Sequence, residues 1–372
     1  MRTLVIATSL AATVVAASPS AASAQDNPTG DPVVQRIYEE GMHRSQAAKF
    51  AQVLMDSIGP RLTGSPANRA ANDWLLRTYK SWGIDAKNEQ YGTWRDWTRG
   101  ASGLELVAPR VRVLEATMHA WSPTTPAGGV TADVVTFPRP SEIGDSAGFA
   151  RWLSGAKGKI VLASIAQPTC RPDSDIKTWA DAATYQHAVA QRDTAVADWN
   201  ARLAAAHVNA RTLMPALERA GVAAVLTNSW SRGWGVDKIQ SARTRTVPSF
   251  DVSCEDYSLL WRLAEHGQHP QVRAIAQATL APAESPVYNT IARITGSEKP
   301  NEYVMLSAHL DSWDSGSGAT DNGTGTIVML EAMRILHPRI RSPSARFSSV
   351  TGAGKRRATS APTRLPRIIQ KF

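Results

Sequence analysis

Apolar positions recur along this chain with two periods, and the switches between them mark the elements. Across residues 33–58, Val34, Ile37, Tyr38, Phe50, Val53, Leu54 and Ile58 fall at near-helical spacing and predict a helix with a break at Gly41. Gly59 and Pro60 end it. After the turn Arg61-Leu62-Thr63-Gly64, Ser65 is placed to cap a second helix, with Pro66 as its first residue and Gly83 beyond its end at Trp82. Short apolar runs at 84–91, 104–108 and 111–116 then predict strands.

The pattern stops around Trp121-Ser122-Pro123-Thr124-Thr125-Pro126, which predicts a boundary, and a second unit is expected over 127–283. Within it, 158–163 and 221–227 are runs suited to buried strands, and 175–220 is alanine-rich and predicts one or two helices. The run Val247-Pro248-Ser249-Phe250 precedes a helix with Ser253 as cap and Asp256 in the box position. A strand at 287–294 and another at 303–308 follow. Their connection over 296–301 is too short for a parallel crossover, so a hairpin is predicted. Strands of both kinds interleaved with helices indicate an α/β fold with its site at the strand ends.

The stretch Asn301 to Leu336 carries the chemistry. Its strand ends in His309-Leu310-Asp311, and a loop containing Asp314, Asp321 and the glycines 316, 318, 323 and 325 leads into a helix starting near Asn322, with Ile327, Leu330, Ile335 and Leu336 as its apolar positions. Imidazole and carboxylate are ordinary zinc ligands, and the two oxygens of Asp321 could serve two ions. Asp311 suits the carboxylate that accepts the other ring N–H of a ligating His309 and so fixes its tautomer.

The motifs HLDSW at 309–313, GATDNGTG at 318–325 and EAMRIL at 331–336, with the weaker GPRLTGS at 59–65 and WTRG at 97–100, resemble the co-catalytic di-zinc exopeptidases, the aminopeptidase and glutamate carboxypeptidase family, and most of all its carboxypeptidase Q-like branch. The resemblance implies two zinc ions, with His309 a ligand of one, Asp321 bridging both, and Asp311 the catalytic-site partner behind His309. It implies a three-layer α/β catalytic domain over 27–126 and 284–336, and it identifies 127–283 with an inserted protease-associated α+β domain. The implied activity is metallo-exopeptidase hydrolysis of peptides or dipeptides, as an aminopeptidase, carboxypeptidase or dipeptidase.

Composition and charge narrow the surroundings. Residues 1–24 read as a signal peptide, with Arg2, a short apolar stretch and Ala22-Ser23-Ala24 before the cleavage point, so an exported, periplasmic or extracellular protein is expected. No run has the ~20 apolar residues of a membrane span. Cys170 and Cys254 could form a bridge or stay apart. His187 and His207 lack partners at helical spacing, and His266 and His269 flank a Gly-Pro turn, so none is assigned a ligand role. The formal charge of +9 sits in one place: residues after Leu336 carry nine Lys and Arg and no Asp or Glu, and removing nine from 41 basic residues leaves 32 against 32 acidic. Nucleic-acid binding by the body therefore has no electrostatic footprint. Nothing in the sequence sets the oligomeric state, a homodimer being one arrangement it allows.

The family pattern also asks for a Glu-Glu pair after the next strand, a further acidic ligand and a final His. Residues 337–372 supply none of these acids, and their Arg, Ser, Pro and Ala composition reads as a GC-rich gene translated out of frame. Shifting the frame by one base from Pro338 permits a strand ending Gly-Gly-Glu-Glu. The chain as given is thus expected to be a truncated catalytic domain with little or no activity and an out-of-frame basic tail. Two other classes fit less of the sequence: a non-catalytic binding module built on the protease-associated domain, and a basic-tailed interaction protein.

Overall fold

The computed structural model describes residues 30–144, 146–236, 240–339 and 345–352. The expected signal peptide and the tail beyond 352 lie outside them. The described chain forms strands β1 (Asp85–Trp94), β2 (Trp97–Ala108), β3 (Arg112–Leu114), β4 (Ala116–Met118), β5 (Val130–Thr136), β6 (Ile160–Leu162), β7 (Ala224–Thr227), β8 (Ser249–Val252), β9 (Gln271–Leu280), β10 (Ser285–Ile294), β11 (Lys299–His309) and β12 (Ala345–Gly352). They make two sheets, one in the order β1-β10-β12-β11 and the other β3-β2-β9-β5-β6-β7-β8-β4. With helices between and against them, the fold is mixed α/β.

The smaller sheet carries the end of the chain. Its β1 and β12 lie antiparallel to β10, while β11 runs parallel to β12. The hairpin expected between β10 and β11 is therefore not formed: β12 lies between them, pairing Ile294 with Phe347 and His309 with Gly352. The chain does reverse direction at the short connection. Its four residues, 295–298, need cross only two strand spacings of about 10 Å in total. Thus part of the segment read as an out-of-frame tail, Ala345–Gly352, is an interior strand of this sheet.

The helix Pro66–Ser81 begins as expected, with Ser65 Oγ accepting the Asn68 N–H at 3.2 Å. It buries Ala71, Leu75 and Tyr79 in one core with Ile84, Ala292, Leu310, Ile327, Leu330 and Met333. Burying a Leu or Ile there is worth about 2 kcal/mol, so this core fixes the end of β11 and the start of the last helix together. The helix expected at 33–58 breaks later than Gly41. A helix Pro32–His43 stops at Arg44, and a second, Ala47–Ala51, winds into a π-helical turn Gln52–Ile58 closed by Gly59 at φ 75°.

The larger sheet gathers β2 to β9 around Leu104, Leu106, Met118, Ile160, Leu162, Leu226, Phe250 and Val272. Strands β5, β6, β7 and β8 run parallel, as the continuous apolar runs of the central β6 and β7 suit. Where one or two helices were expected over 175–220, three form: Asp173–Trp179, Ala182–Ala205 and Leu213–Ala220. The breaks fall at Asp181, whose carboxylate caps Thr184 at 2.7 Å, and at the turn around Asn209. Cys170 and Cys254 are joined in a disulfide that ties the loop after β6 to the first turn of the helix Cys254–Glu265.

Candidate metal centre

Three segments distant in sequence meet at the end of β11. The loop 310–318 leaves the strand, the turn Ala319–Gly323 follows it, and the turn Arg61–Ser65 lies beneath. Arg61 is fully buried and organises the junction. Its Nε donates to Leu310 O at 2.9 Å, Nη1 to Gly59 O at 2.7 Å and to Ser317 O at 3.0 Å, and Nη2 to Gly318 O at 3.0 Å. A second clasp is made by Ser312, whose Oγ accepts the Arg61 N–H at 2.9 Å and whose own N–H donates to Arg61 O at 3.1 Å. One planar guanidinium thus reads carbonyls on both sides of the loop, which a flexible ammonium could not do.

On this base, His309, Asp311 and Asp321 converge. His309 Nδ1 lies 3.1 Å from Asp311 Oδ1 and 3.0 Å from the Asp311 carbonyl, both acceptors, so Nδ1 carries the proton and the Nε2 lone pair points away from Asp311. Asp311 is fully buried, and its other oxygen accepts the Thr63 hydroxyl at 3.0 Å. His309 Nε2 is 2.8 Å from Asp321 Oδ1, and Asp321 is half exposed. Burial lowers the His309 pKa, but the Asp311 hydrogen bond and charge, with a smaller push from Asp321, outweigh it and hold the imidazole above its ordinary value.

Local structure explains the convergence. Asp321 has φ −121° and ψ 89°, and its peptide bond to Asn322 is cis. Asn322 Oδ1 then accepts the Gly325 N–H at 3.2 Å as the helix Thr324–Arg339 starts, and Thr326 Oγ1 donates to His309 O at 3.3 Å, fastening that helix to the strand. Gly318, at φ +62°, has no room for a Cβ, which would lie 2.2 Å from Ser312 Cβ. Asp314 turns away from the histidine to Arg99 Nε at 2.6 Å, and Arg99 also donates to Met118 O, so the loop is anchored to the larger sheet.

The donor chemistry of this pair suits zinc. An imidazole with its Nδ1–H on one carboxylate and a second carboxylate oxygen 2.8 Å from Nε2 is a pair that a proton on Nε2 joins as an ion pair and whose two atoms are also close enough to ligate one zinc ion beside them. Among the described residues no group of three or more His, Cys, Asp or Glu side chains is arranged to hold a metal. His187, His207, His266 and His269 are exposed.

Sequence reasoning missed the supports. Arg61, Thr63 and Arg99 stand in motifs noted for their family likeness, yet nothing in their spacing reveals that each reaches the loop 310–318. It also passed over His119, which is buried between Ser249 Oγ at 3.2 Å and Thr227 Oγ1 at 3.4 Å. Burial and the charges of Arg99 and Arg243 push its pKa down to about 4.

Comparison with known proteins agrees with the motif reading. Residues 289–350, which contain all three converging side chains, match the model of peptidase family M28. Carboxypeptidase Q of Mus musculus is 26% identical over 304 residues, covering 80% of this chain and 56% of the mouse protein, and that of Homo sapiens is 27% identical over 301 residues, with 81% and 56% covered. The chain spans about half the length of these curated relatives. A solved peptidase M28 precursor from Shewanella amazonensis SB2B superposes with TM-score 0.56 at 22% identity, over 86% of this chain and 66% of that one, a likeness of fold. The chain is thus a relative of carboxypeptidase Q and of the family M28 peptidases.

Proposed function

We propose that this chain carries the first part of the active site of an exported zinc metallo-exopeptidase acting on peptides or dipeptides. His309 and Asp321 are the zinc ligands of this reading, and Asp311 the residue that orients His309. The observation that carries it is the convergence itself: Asp311 on one ring nitrogen of His309 and Asp321 2.8 Å from the other, at the end of a strand in the segment that matches family M28. Bound zinc supplies Lewis acidity toward a peptide carbonyl and acidifies water. Asp311 keeps the Nε2 lone pair of His309 available, Thr63 holds Asp311 in place, and Arg61 keeps the loop closed beneath them.

Export is supported by the signal-like first 24 residues and by the Cys170–Cys254 bridge, which suits an oxidising compartment. Among the described residues no helix is long and apolar enough to cross a membrane. We assign the parallel strands β5 to β8 and their helices, within 127–283, to the inserted protease-associated domain. Two zinc ions sharing Asp321 need further ligands, and the tail in its present frame has no acidic residue to offer. The 372-residue chain is therefore proposed to turn over little substrate, with the reading frame slipping near His337.

Zinc titration calorimetry tests the reading. The chain should bind zinc, and His309→Ala and Asp321→Ala should each abolish the heat; undiminished binding by His309→Ala would refute the site. Resequencing the gene across the codons for Leu336 to Pro343 tests the slip, and brisk zinc-dependent dipeptide hydrolysis by the 372-residue product would overturn the proposed inactivity.

A further inference from the structure

The carboxyl ends of the parallel strands β6 and β7 open onto a cavity that the metal centre does not use. Residues 163–165 leave β6 and residues 228–230 leave β7 along its wall. The helices Ala182–Ala205 and Leu213–Ala220 add Trp199, Leu203, Leu213 and Met214, and Gln240, Ser241, Arg243 and Thr244 complete it. The space is about 450 Å³, within the usual span of small-ligand clefts. Crevices at the ends of parallel strands are where α/β sheets ordinarily take their ligands.

The lining is polar but nearly without charge. Among the described residues no carboxylate lines this cavity, and Arg243 is its one ionised side chain at neutral pH. His119, in the wall between Ser249 and Thr227, stays neutral, because burial and the charges of Arg99 and Arg243 push its pKa down to about 4. Hydroxyls and carboxamides supply the polar surface instead. Gln167, Ser229, Gln240 and Ser241 are half-buried, and among the described residues their side chains make no hydrogen bond. Each can both donate and accept, so together they suit a ligand whose own groups do both.

The wall is held in place from behind. Ser164 N–H donates to Tyr257 Oη at 2.9 Å, and the Tyr257 hydroxyl donates to Ser164 O at 2.9 Å. Asn228 N–H donates to Ser164 Oγ at 2.7 Å, Asn228 Nδ2 to Val252 O at 2.8 Å, and Ser229 N–H to Asp251 Oδ1 at 2.8 Å. The segment carrying Gln240 and Ser241 is pinned by Ala120, whose N–H donates to Gln240 O at 3.1 Å and whose carbonyl accepts the Ala242 N–H at 2.8 Å. The Cys170–Cys254 bridge fastens the loop just beyond Gln167. A cavity fixed in this way binds without the cost of ordering its own loops.

Its apolar part is aromatic as well as aliphatic. Trp199 and Trp230 both line the space and are half-buried. Arg192 lies over the Trp230 ring at 4.7 Å, and the indole N–H donates to Gly233 O at 2.7 Å, so that side chain is braced. An indole offers a flat carbon face to the C–H surface of a ligand. A sugar ring carries hydroxyls around its edge and C–H groups on its faces, and it needs no counter-ion. Charged peptide termini or a nucleotide phosphate would meet only Arg243.

We propose that this cavity binds a neutral saccharide of one or two rings, its hydroxyls exchanging hydrogen bonds with Gln167, Ser229, Gln240 and Ser241 and its C–H faces lying against Trp199 and Trp230. The proposal uses none of the zinc ligands and stands apart from the peptidase reading. Calorimetric titration of the full chain with maltose, cellobiose, lactose and N-acetylglucosamine tests it.

At least one of these sugars should bind with a Kd of about 1 mM or tighter. Its affinity should be the same at low and high salt, because no ion pair is formed. The double variant Gln240→Ala/Ser241→Ala removes side chains that have no internal partner, so its melting temperature should match the parent chain while sugar affinity falls about tenfold or more. Trp230→Ala should weaken binding at least as much, whereas Arg243→Gln and His309→Ala should leave it intact. Failure of all four sugars to bind, undiminished binding by Gln240→Ala/Ser241→Ala, loss of binding in His309→Ala, or tighter binding of uridine or of an uncharged blocked dipeptide would each overturn the proposal.

Discussion

Arg61 Nη2 and the carbonyl oxygen of Gly318 lie 3.0 Å apart, joining a turn at one end of the chain to the loop before Asp321 at the other. The same guanidinium holds Leu310 and Ser317, so it sets the distance between the strand end that carries His309 and the turn that carries Asp321. Replacing Arg61 by Met fills the space but leaves these buried carbonyls without donors, at about 1–3 kcal/mol each. Chemical denaturation should show a loss of about 3 kcal/mol or more, with zinc binding lost even in the fraction that stays folded. Gly318→Ala should mimic the loss of zinc, because its Cβ would collide with Ser312.

The elements around this junction were legible in the sequence because they depend on local signals: Ser65 and Pro66 for a helix start, and the HLD and TDN motifs for the strand end and turn on which His309, Asp311 and Asp321 converge. What escaped was long-range. A strand sequence states which residues face a core but not which strand lies beside it, so the placement of β12 between β10 and β11 could not be read from 287–309 alone. Likewise Arg61 reads as a turn residue until its five-donor fork is seen among carbonyls some 250 positions away.

Asp311→Asn separates orientation from ligation. The amide keeps the shape but removes the charge that holds the His309 pKa above its ordinary value. Zinc affinity at neutral pH should fall about 10–100-fold, as loss of such a partner generally causes. Protons compete with zinc for Nε2, so in the parent chain binding should weaken as pH falls through a value above 6.5, the ordinary histidine pKa. In Asp311→Asn that acid edge should move to lower pH while the plateau drops. Calorimetry across a pH series reads both; an unmoved edge would show that Asp311 does not act on the imidazole.

His119 should give the fold an acid-sensitive step independent of the metal centre. Its folded-state pKa is about 4 against the ordinary histidine value of 6.5, so between these values the unfolded chain binds a proton that the folded chain excludes. Stability from this group is complete above 6.5 and is lost as pH falls toward 4, by about 3 kcal/mol in all. Unfolding free energies measured from pH 7 to pH 4 should show this slope, and His119→Gln, which can still bond to Ser249, should flatten it.

The Cys170–Cys254 bridge closes a loop of 84 residues across the larger sheet. Constraint of the unfolded chain over such a length is worth about 4 kcal/mol. The double variant Cys170→Ser/Cys254→Ser should melt several degrees lower, and a reducing agent should lower the melting temperature of the parent chain to match while leaving the variant unchanged. Zinc binding at His309 should survive in both, since the bridge lies on the other sheet.

The last prediction concerns the strand that completes the smaller sheet. In β12, Ser348, Ser349 and Thr351 are all buried in an interior strand, where apolar side chains would ordinarily sit. Ser349 Oγ meets the Tyr79 hydroxyl at 3.2 Å, but Ser348 Oγ and Thr351 Oγ1 have no hydrogen-bond partner among the described residues. A buried hydroxyl without a partner costs about 1–3 kcal/mol, so Ser348→Ala and Thr351→Val should each raise stability by about 1 kcal/mol, the reverse of most buried substitutions. A stabilising outcome for both variants would show that the hydroxyls are buried at a cost, whereas a loss of stability in either would show that they have partners in the sheet.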